Sequence, residues 1–256
     1  MVGPPLATFL ATSIAPAAGV LVAGAILLFG GWVFTAQRST EPPPSPGARA
    51  SGPFGVLSPA VIAVSSVFFC CGTVFGSVEV VAVAFADEAG RRGLAGALLA
   101  ALAFGSLVAG LTFGVMSFRR SVGGQFVIAA CAFGVLMQLL LLAPGLWQLA
   151  VLMVVSGVAI APLLITATML IERLVPPSAL TEGLTWTVTA LVCGVTLGAS
   201  LGGHLVDLGG ARQGFWLSSA AGVAAALTAV LASPLLRHAA VERAAGRSAP
   251  RDGSTV

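Results

Sequence analysis

Glu79 is the side chain whose setting most invites chemistry. It closes the stretch Cys71-Gly-Thr-Val-Phe-Gly-Ser-Val-Glu79, inside an apolar run with no arginine within a helical turn of it. An ionisable group at membrane depth is costly, so each one is a functional candidate by default. Facing a water-filled cavity, Glu79 would take up a proton or hold a cationic group; otherwise its carboxyl hydrogen-bonds to a neighbouring helix. His204 and Asp207 stand three apart, hence on one helix face, the spacing of a proton relay or of a solvated helix end. Glu182 opens a later run, where a carboxylate suits the positive end of a helix dipole; lining a cavity is its other role. Gln138 can donate across to a neighbouring helix or to a ligand. Pro162, in Ala159-Ile-Ala-Pro162-Leu-Leu-Ile-Thr166, removes a backbone donor and kinks its helix. Thr166 or Thr168 can help to satisfy the groups it frees.

Other chemistries lack their residues. The four cysteines, Cys70, Cys71, Cys131 and Cys193, form no CxxC pair, and adjacent residues of a helix point to different sides, so they read as small packing residues and not as a metal or redox site. There is no HExxH, no GxSxG and no Walker-type glycine loop, nor a repeated acidic motif that could hold magnesium. With only 2 His, neither an enzyme nor a metal or other cofactor is expected.

The elements that carry these residues follow from composition. Only 8% of the 256 residues are charged, against about a quarter in a soluble domain. Hydrophobic residues make up 57%, glycine adds 32 positions, and mean hydropathy is +1.03. Such a chain cannot cover a water-facing surface with polar groups, so its solvent is lipid. A net charge of +3 and a pI near 9.0 would point to nucleic acid in a soluble protein. Here the basic residues lie between apolar runs and set orientation, so no nucleic-acid partner is expected. All of them are arginine, the composition of a GC-rich bacterial coding sequence, which places the chain in a bacterial inner membrane.

A membrane helix needs about 20 residues to cross about 30 Å of hydrocarbon. Dividing the chain at its charges, and the long run from Ser121 to Ile171 at Pro144-Gly145, predicts seven crossings at 17–36, 57–85, 93–117, 124–143, 147–170, 183–205 and 214–236. Residues 1–14, cut off by Pro16, make about half a span. The fold class expected is an all-α polytopic bundle. Nine arginines fall in the loops of one side and three, Arg91, Arg92 and Arg212, on the other. The positive-inside rule makes the first side, with the C-terminus, cytoplasmic. Trp32, Trp147, Trp186 and Trp216 lie near predicted span ends, where indole favours the interface. Glu41-Pro42-Pro43-Pro44-Ser45-Pro46-Gly47 reads as an extended linker. The expected organisation is therefore an opening segment 1–36, a Pro-rich cytoplasmic linker 37–56, a six-helix bundle 57–240 and a disordered cytoplasmic tail 241–256.

Small residues recur at helix-packing spacing: Gly194, Gly198 and Gly202 in the sixth predicted span, Gly110 and Gly114 in the third, Gly72 and Gly76 in the second. Such ridges let helix backbones approach closely in lipid, whether for static packing or for sliding during transport.

The order of these features resembles the major facilitator superfamily, specifically its C-terminal six-helix half plus the span before the central loop. The segment Gly194-Val-Thr-Leu-Gly198-Ala-Ser-Leu-Gly202-Gly-His-Leu-Val-Asp207, continuing to Phe215, is similar to that family's eleventh span running into its twelfth. Phe104-Gly105-Ser106-Leu-Val-Ala-Gly110 with Arg119-Arg120 is similar to span eight and the loop after it, with Gly114 where the family carries an Asp. The linker resembles the central loop, and Gly3-Pro4 the end of the antiporter motif on span five. The resemblance implies a transporter of small organic molecules, of the proton-coupled exporter type. Residues 1–36 would then be a remnant of an N-terminal half whose other spans are missing. It also implies that the second and fifth predicted spans line the cavity, with Glu79 as the protonatable group and Pro162 in a gating helix. The expected partners are the bilayer, a small-molecule substrate, and a missing N-terminal half or a second copy. The other class open to the chain is a self-contained seven-span sensor or assembly protein; short loops and the lack of a soluble signalling domain weigh against it.

Overall fold

Caps and breakers set where the apolar runs become helices. Ser58 accepts the Val61 amide proton at 3.3 Å with Pro59 following, and Ser121 accepts that of Gly124 at 3.3 Å, so two helices start where an orphan amide finds a side-chain oxygen. Two others meet at Gly210, whose φ of +84° suits glycine and allows the chain to reverse.

The computed structural model describes residues 18–36, 57–116 and 120–248, without the side chains of 18–20, 34 and 237–248. Its helices are α1 (Ala18–Ala36), α2 (Pro59–Glu88), α3 (Ala95–Val115), α4 (Val122–Met137), α5 (Leu146–Gly157), α6 (Ile160–Leu174), α7 (Leu180–Gly209) and α8 (Ala211–Ser248). Short 3₁₀ turns, Arg92–Leu94, Gln138–Leu142 and Pro177–Ala179, extend α3, α4 and α7. No strand occurs among the described residues.

Six stretches are long and apolar enough to cross a membrane: Pro59–Glu88, Arg92–Val115, Val122–Leu142, Leu146–Leu174, Pro177–Gly209 and Ala211–Leu236. They match the last six predicted crossings to within a few residues at most ends. The first predicted crossing, 17–36, coincides with α1, an apolar helix of 19 residues. It makes no substantial contact with the others, and Leu27 and Leu28 are both 76% exposed. The tail departs from expectation, since α8 continues to Ser248 through a stretch rich in the helix formers Ala, Glu and Arg. The half span at 1–14, the linker at 41–47 and residues 249–256 lie outside the described residues.

One crossing is made of two helices. Pro162 has no amide to give the Val158 carbonyl, and its ring crowds that same group. The chain tightens there, with Val158 N bonding to Val155 O at 3.2 Å and Ala159 N to Ser156 O at 3.4 Å, and α5 gives way to α6. Thr166 donates to the Pro162 carbonyl at 2.7 Å and Thr168 to that of Leu164 at 2.9 Å. Neither turns back to the carbonyl that Pro162 frees, which corrects the role expected of these two threonines.

Glycine marks three of the main helix crossings. The first and fifth spans (α2, α7) meet at Gly72, Gly76, Gly194, Gly198 and Gly202; the second and fourth (α3, α5) at Gly105 and Gly157; the third and sixth (α4, α8) at Gly134 and Gly222. Exchanging the first three spans for the last three maps this pairing onto itself, the mark of an internal repeat. Large buried side chains such as Phe126, Phe133, Leu149, Ile160 and Phe215 fill the centre. Trp32, Trp147 and Trp216 are about two-thirds exposed.

Candidate functional site

What α7 shows to the outside is decided by what it hides. It runs parallel to α2, each step of four residues on one matched by a step of four on the other. A methyl group at Gly194 would strike the Phe69 carbonyl, one at Gly198 would lie 2.8 Å from Thr73 Cα, and one at Gly202 3.1 Å from Ser77 Cα. From the other side, a Cβ on Gly72 would meet the Leu191 carbonyl, and one on Gly76 would lie 2.7 Å from the Ala199 nitrogen. Bare backbone on both helices lets them touch without a layer of side chains.

With the glycine ridge turned inward, the opposite face of α7 is turned out. That face carries Thr181, Thr185, Thr189, Cys193, Thr196 and Ser200, continued by His204 and Asp207, all exposed. They recur every three or four residues, so they form one polar stripe along the whole helix. Thr185 and Thr196 give their protons to the preceding turn, at 2.8 and 3.0 Å, which leaves oxygen lone pairs facing out.

Part of the stripe lines a groove. A cavity of about 570 Å³ beside Ser178, Glu182 and Thr185 adjoins one of about 420 Å³ beside Ser65, Ser66, Phe69 and Cys193. Trp186 and Thr189 line both. The Ser65 hydroxyl is buried there with no hydrogen-bond partner, a state that normally needs an explanation such as water or a ligand. From Thr181 to Cys193 the groove covers about 18 Å at 1.5 Å per residue, more than half of a core of about 30 Å.

Glu79 stands further along α2. It is exposed, and among the described residues it has no hydrogen-bond or ion-pair partner, so the helix-bonded alternative is not what the structure adopts. Two residues past Ser77, it is level with His204, two past Gly202 on the parallel helix. His204 and Asp207 share a face, and no hydrogen bond joins them. Glu182 occupies the first turn of α7 and lines the groove as well.

The other candidates lie elsewhere. Gln138 donates to the carbonyls of Gly134 at 2.7 Å and Ser219 at 3.1 Å, and the Ser219 hydroxyl donates to its Oε1. It fastens the end of α4 to α8 and does not join the groove. Pro162 shapes the α5–α6 break. Gly110 lies 3.2 Å, measured from a built Cβ, from Ala161 Cβ, whereas Gly114 faces open space with nothing within 4 Å; Gly114 therefore packs against no helix, contrary to its place in a packing motif.

Two features gave no signal in the sequence. A buried contact of 2.8 Å joins the Ser77 and Ser218 hydroxyls, and the Glu88 carboxylate accepts the Ala211 amide proton at 2.7 Å, capping α8 from the end of α2. Among the described residues no three His, Cys, Asp or Glu side chains are grouped as metal ligands.

The family model described as Major Facilitator Superfamily matches residues 64–253, from the second turn of α2 onward. No curated protein and no solved structure matches the chain.

Proposed function

This chain belongs to the Major Facilitator Superfamily, a multi-pass membrane protein of the transporter type, and on that premise we propose that it exports small organic molecules in exchange for protons taken up at Glu79. The observation that carries this reading is the exposed carboxyl of Glu79, without a partner among the described residues, at the depth of His204, beside a helix that carries a polar stripe along its exposed side. An ionised carboxylate in such a place needs water, a proton or a cation.

The polar face of α7, with Ser65 and Glu182, forms one wall of the pathway. Substrate sites of such transporters lie between two halves that rock against each other, so a second six-helix half or a second copy supplies the opposite wall. Deprotonated Glu79 attracts a cationic substrate group, and protonation releases it, which couples the two fluxes. The break at Pro162 lets α5 and α6 tilt separately as the halves rock. The excess of arginine in one set of loops supports a cytoplasmic C-terminus.

Flux driven by a pH gradient in membrane vesicles bearing the full-length protein tests the coupling role. Glu79→Gln, which fixes the side chain in an uncharged state, is expected to abolish gradient-driven flux and to weaken binding of a cationic substrate. Unchanged gradient-driven flux would remove Glu79 from the mechanism.

A further inference from the structure

The groove beside α7 brings together an acid, an indole and hydroxyls whose protons are already spent. Glu182 and Trp186 stand four apart on α7, hence one turn apart on one face, and both line the larger cavity. Both side chains are half-buried, whereas Trp32, Trp147 and Trp216 are about two-thirds exposed. Among the described residues Glu182 has no hydrogen-bond or ion-pair partner, and no cationic side chain lines either cavity. Thr185 gives its proton to the Thr181 carbonyl at 2.8 Å and Ser66 to that of Ile62 at 2.9 Å, so toward the groove these two can only accept. A carboxylate without a cation, spare lone pairs and the negative face of an indole all favour a positive group that donates hydrogen bonds.

Beyond Trp186 the groove changes character. Its smaller cavity is lined by Ile62, Phe69 and Ala190, with the unpartnered Ser65 hydroxyl among them. Because Gly194 meets Phe69 and Gly198 meets Thr73, Ser65 lies level with Ala190, just past Thr189. From Glu182 to Thr189 the helix rises about 10 Å, the length of a benzene ring carrying a two-carbon amine at one end and a small polar group at the other.

We propose that the groove is a loading site for lipophilic amines, with the ammonium on Glu182, the ring over Trp186 and a polar substituent on Ser65. It is a site apart from Glu79. From Glu182 to His204, which is level with Glu79, α7 rises about 33 Å, the full depth of the hydrocarbon core, so one small molecule cannot touch both acids. Glu182 stands at the end of the bundle whose loops carry more arginine, the side from which an exporter takes its cargo. That placing rests on the export reading above; the recognition of an amine does not.

Quenching of Trp186 fluorescence in the purified full chain tests the proposal, with Trp32, Trp147 and Trp216 replaced by Phe at their exposed sites so that one indole remains. The probes are para-nitrophenethylamine, whose nitro group quenches indole, and para-nitrophenethyl alcohol, the same body without the charge. The amine is expected to quench saturably and to bind about tenfold more tightly than the alcohol, the worth of a hydrogen bond to a charged group. Glu182→Gln should bring the amine down to the affinity of the alcohol, whose own binding shows that the variant keeps its fold. Glu172→Gln, at an exposed acid of the same end that lines neither cavity, should change nothing. Equal affinity of the two probes, an unchanged Glu182→Gln, or quenching that never saturates overturns the proposal. So does displacement of the amine by glucose, which would make the groove a polyol site. Binding and flux fail separately: a Glu79→Gln protein that keeps its gradient-driven flux defeats the coupling reading and leaves amine binding standing. Equal probe affinities defeat the loading site and leave Glu79 its role.

Discussion

At the α2–α7 crossing five glycines present bare backbone over about three turns, and at the α3–α5 crossing two do. The consequences differ on the outside. The residues α7 buries are Gly183, Thr187, Gly194, Gly198 and Gly202, so its contact with the bundle needs almost no large side chain. Its outer face is free to be polar. The outer face of α3 carries Phe104, Leu107, Val108 and Leu111, all exposed. The two crossings are equivalent in the repeat, so the backbone device is shared while the outward chemistry differs, a stripe of hydroxyls between exposed Val and Leu side chains on α7 and apolar side chains on α3.

The largest expected effect comes from filling the tighter crossing. At Gly198 a methyl group collides with the Thr73 backbone, which no side-chain rotation relieves. Gly198→Ala should therefore destabilise the bundle by about 3 kcal/mol, the upper part of the usual overpacking range. Gly114→Ala meets nothing within 4 Å and gains helix propensity, so it should be neutral or stabilise by up to about 1 kcal/mol. Unfolding in mixed micelles compares them. Equal stability of the two variants would dissolve the contrast between a packed ridge and an open one.

That pair also shows what a sequence can and cannot disclose. Gly110 and Gly114 have the same spacing as Gly194 and Gly198, but spacing says only that an approach is permitted. Whether a partner backbone arrives depends on the arrangement of distant spans. The spans themselves were readable because burial in hydrocarbon writes itself into every residue of a run. The α1 stretch was readable for the same reason, its 19 residues falling within the predicted 17–36. The stripe on α7 is visible as a period of about four once the glycine face is known to be inward. Its hydroxyls are too mild, one by one, to stand out beside Glu79. The Glu88 cap on Ala211 joins residues 123 positions apart and has no local pattern at all.

A smaller effect is expected where α2 is held by side chains instead of bare backbone. On its α8 side the Ser77–Ser218 contact is buried at 2.8 Å, but Ser77 also reaches the carbonyls of Thr73 at 2.8 Å and Val74 at 3.0 Å. Removing Ser218 therefore leaves Ser77 with partners. A double-mutant cycle of Ser77→Ala and Ser218→Ala should give a coupling of about 0.6 kcal/mol, the average for hydrogen bonds between membrane helices. A coupling as large as the Gly198→Ala loss would mean that hydroxyls, and not glycines, hold α2 in place.

The outward chemistry can be read with no change in stability. Cys193 lies on the polar face of α7 and is exposed, whereas Cys71 is buried under α2's packing surface. A charged, membrane-impermeant thiol reagent reacts only with a thiolate that water can reach. In vesicles open to both faces Cys193 should be modified and Cys71 spared. The matching probe on the other crossing is Leu107→Cys, placed on the exposed apolar face of α3. If that face meets lipid chains, the new thiol should stay unmodified despite being as open in the structure as Cys193. Exposure alone would then be separated from hydration, which is the property the comparison turns on. Modification of both at similar rates would make the α3 face watery and remove the distinction between the faces; modification of neither would put the α7 stripe against lipid or protein.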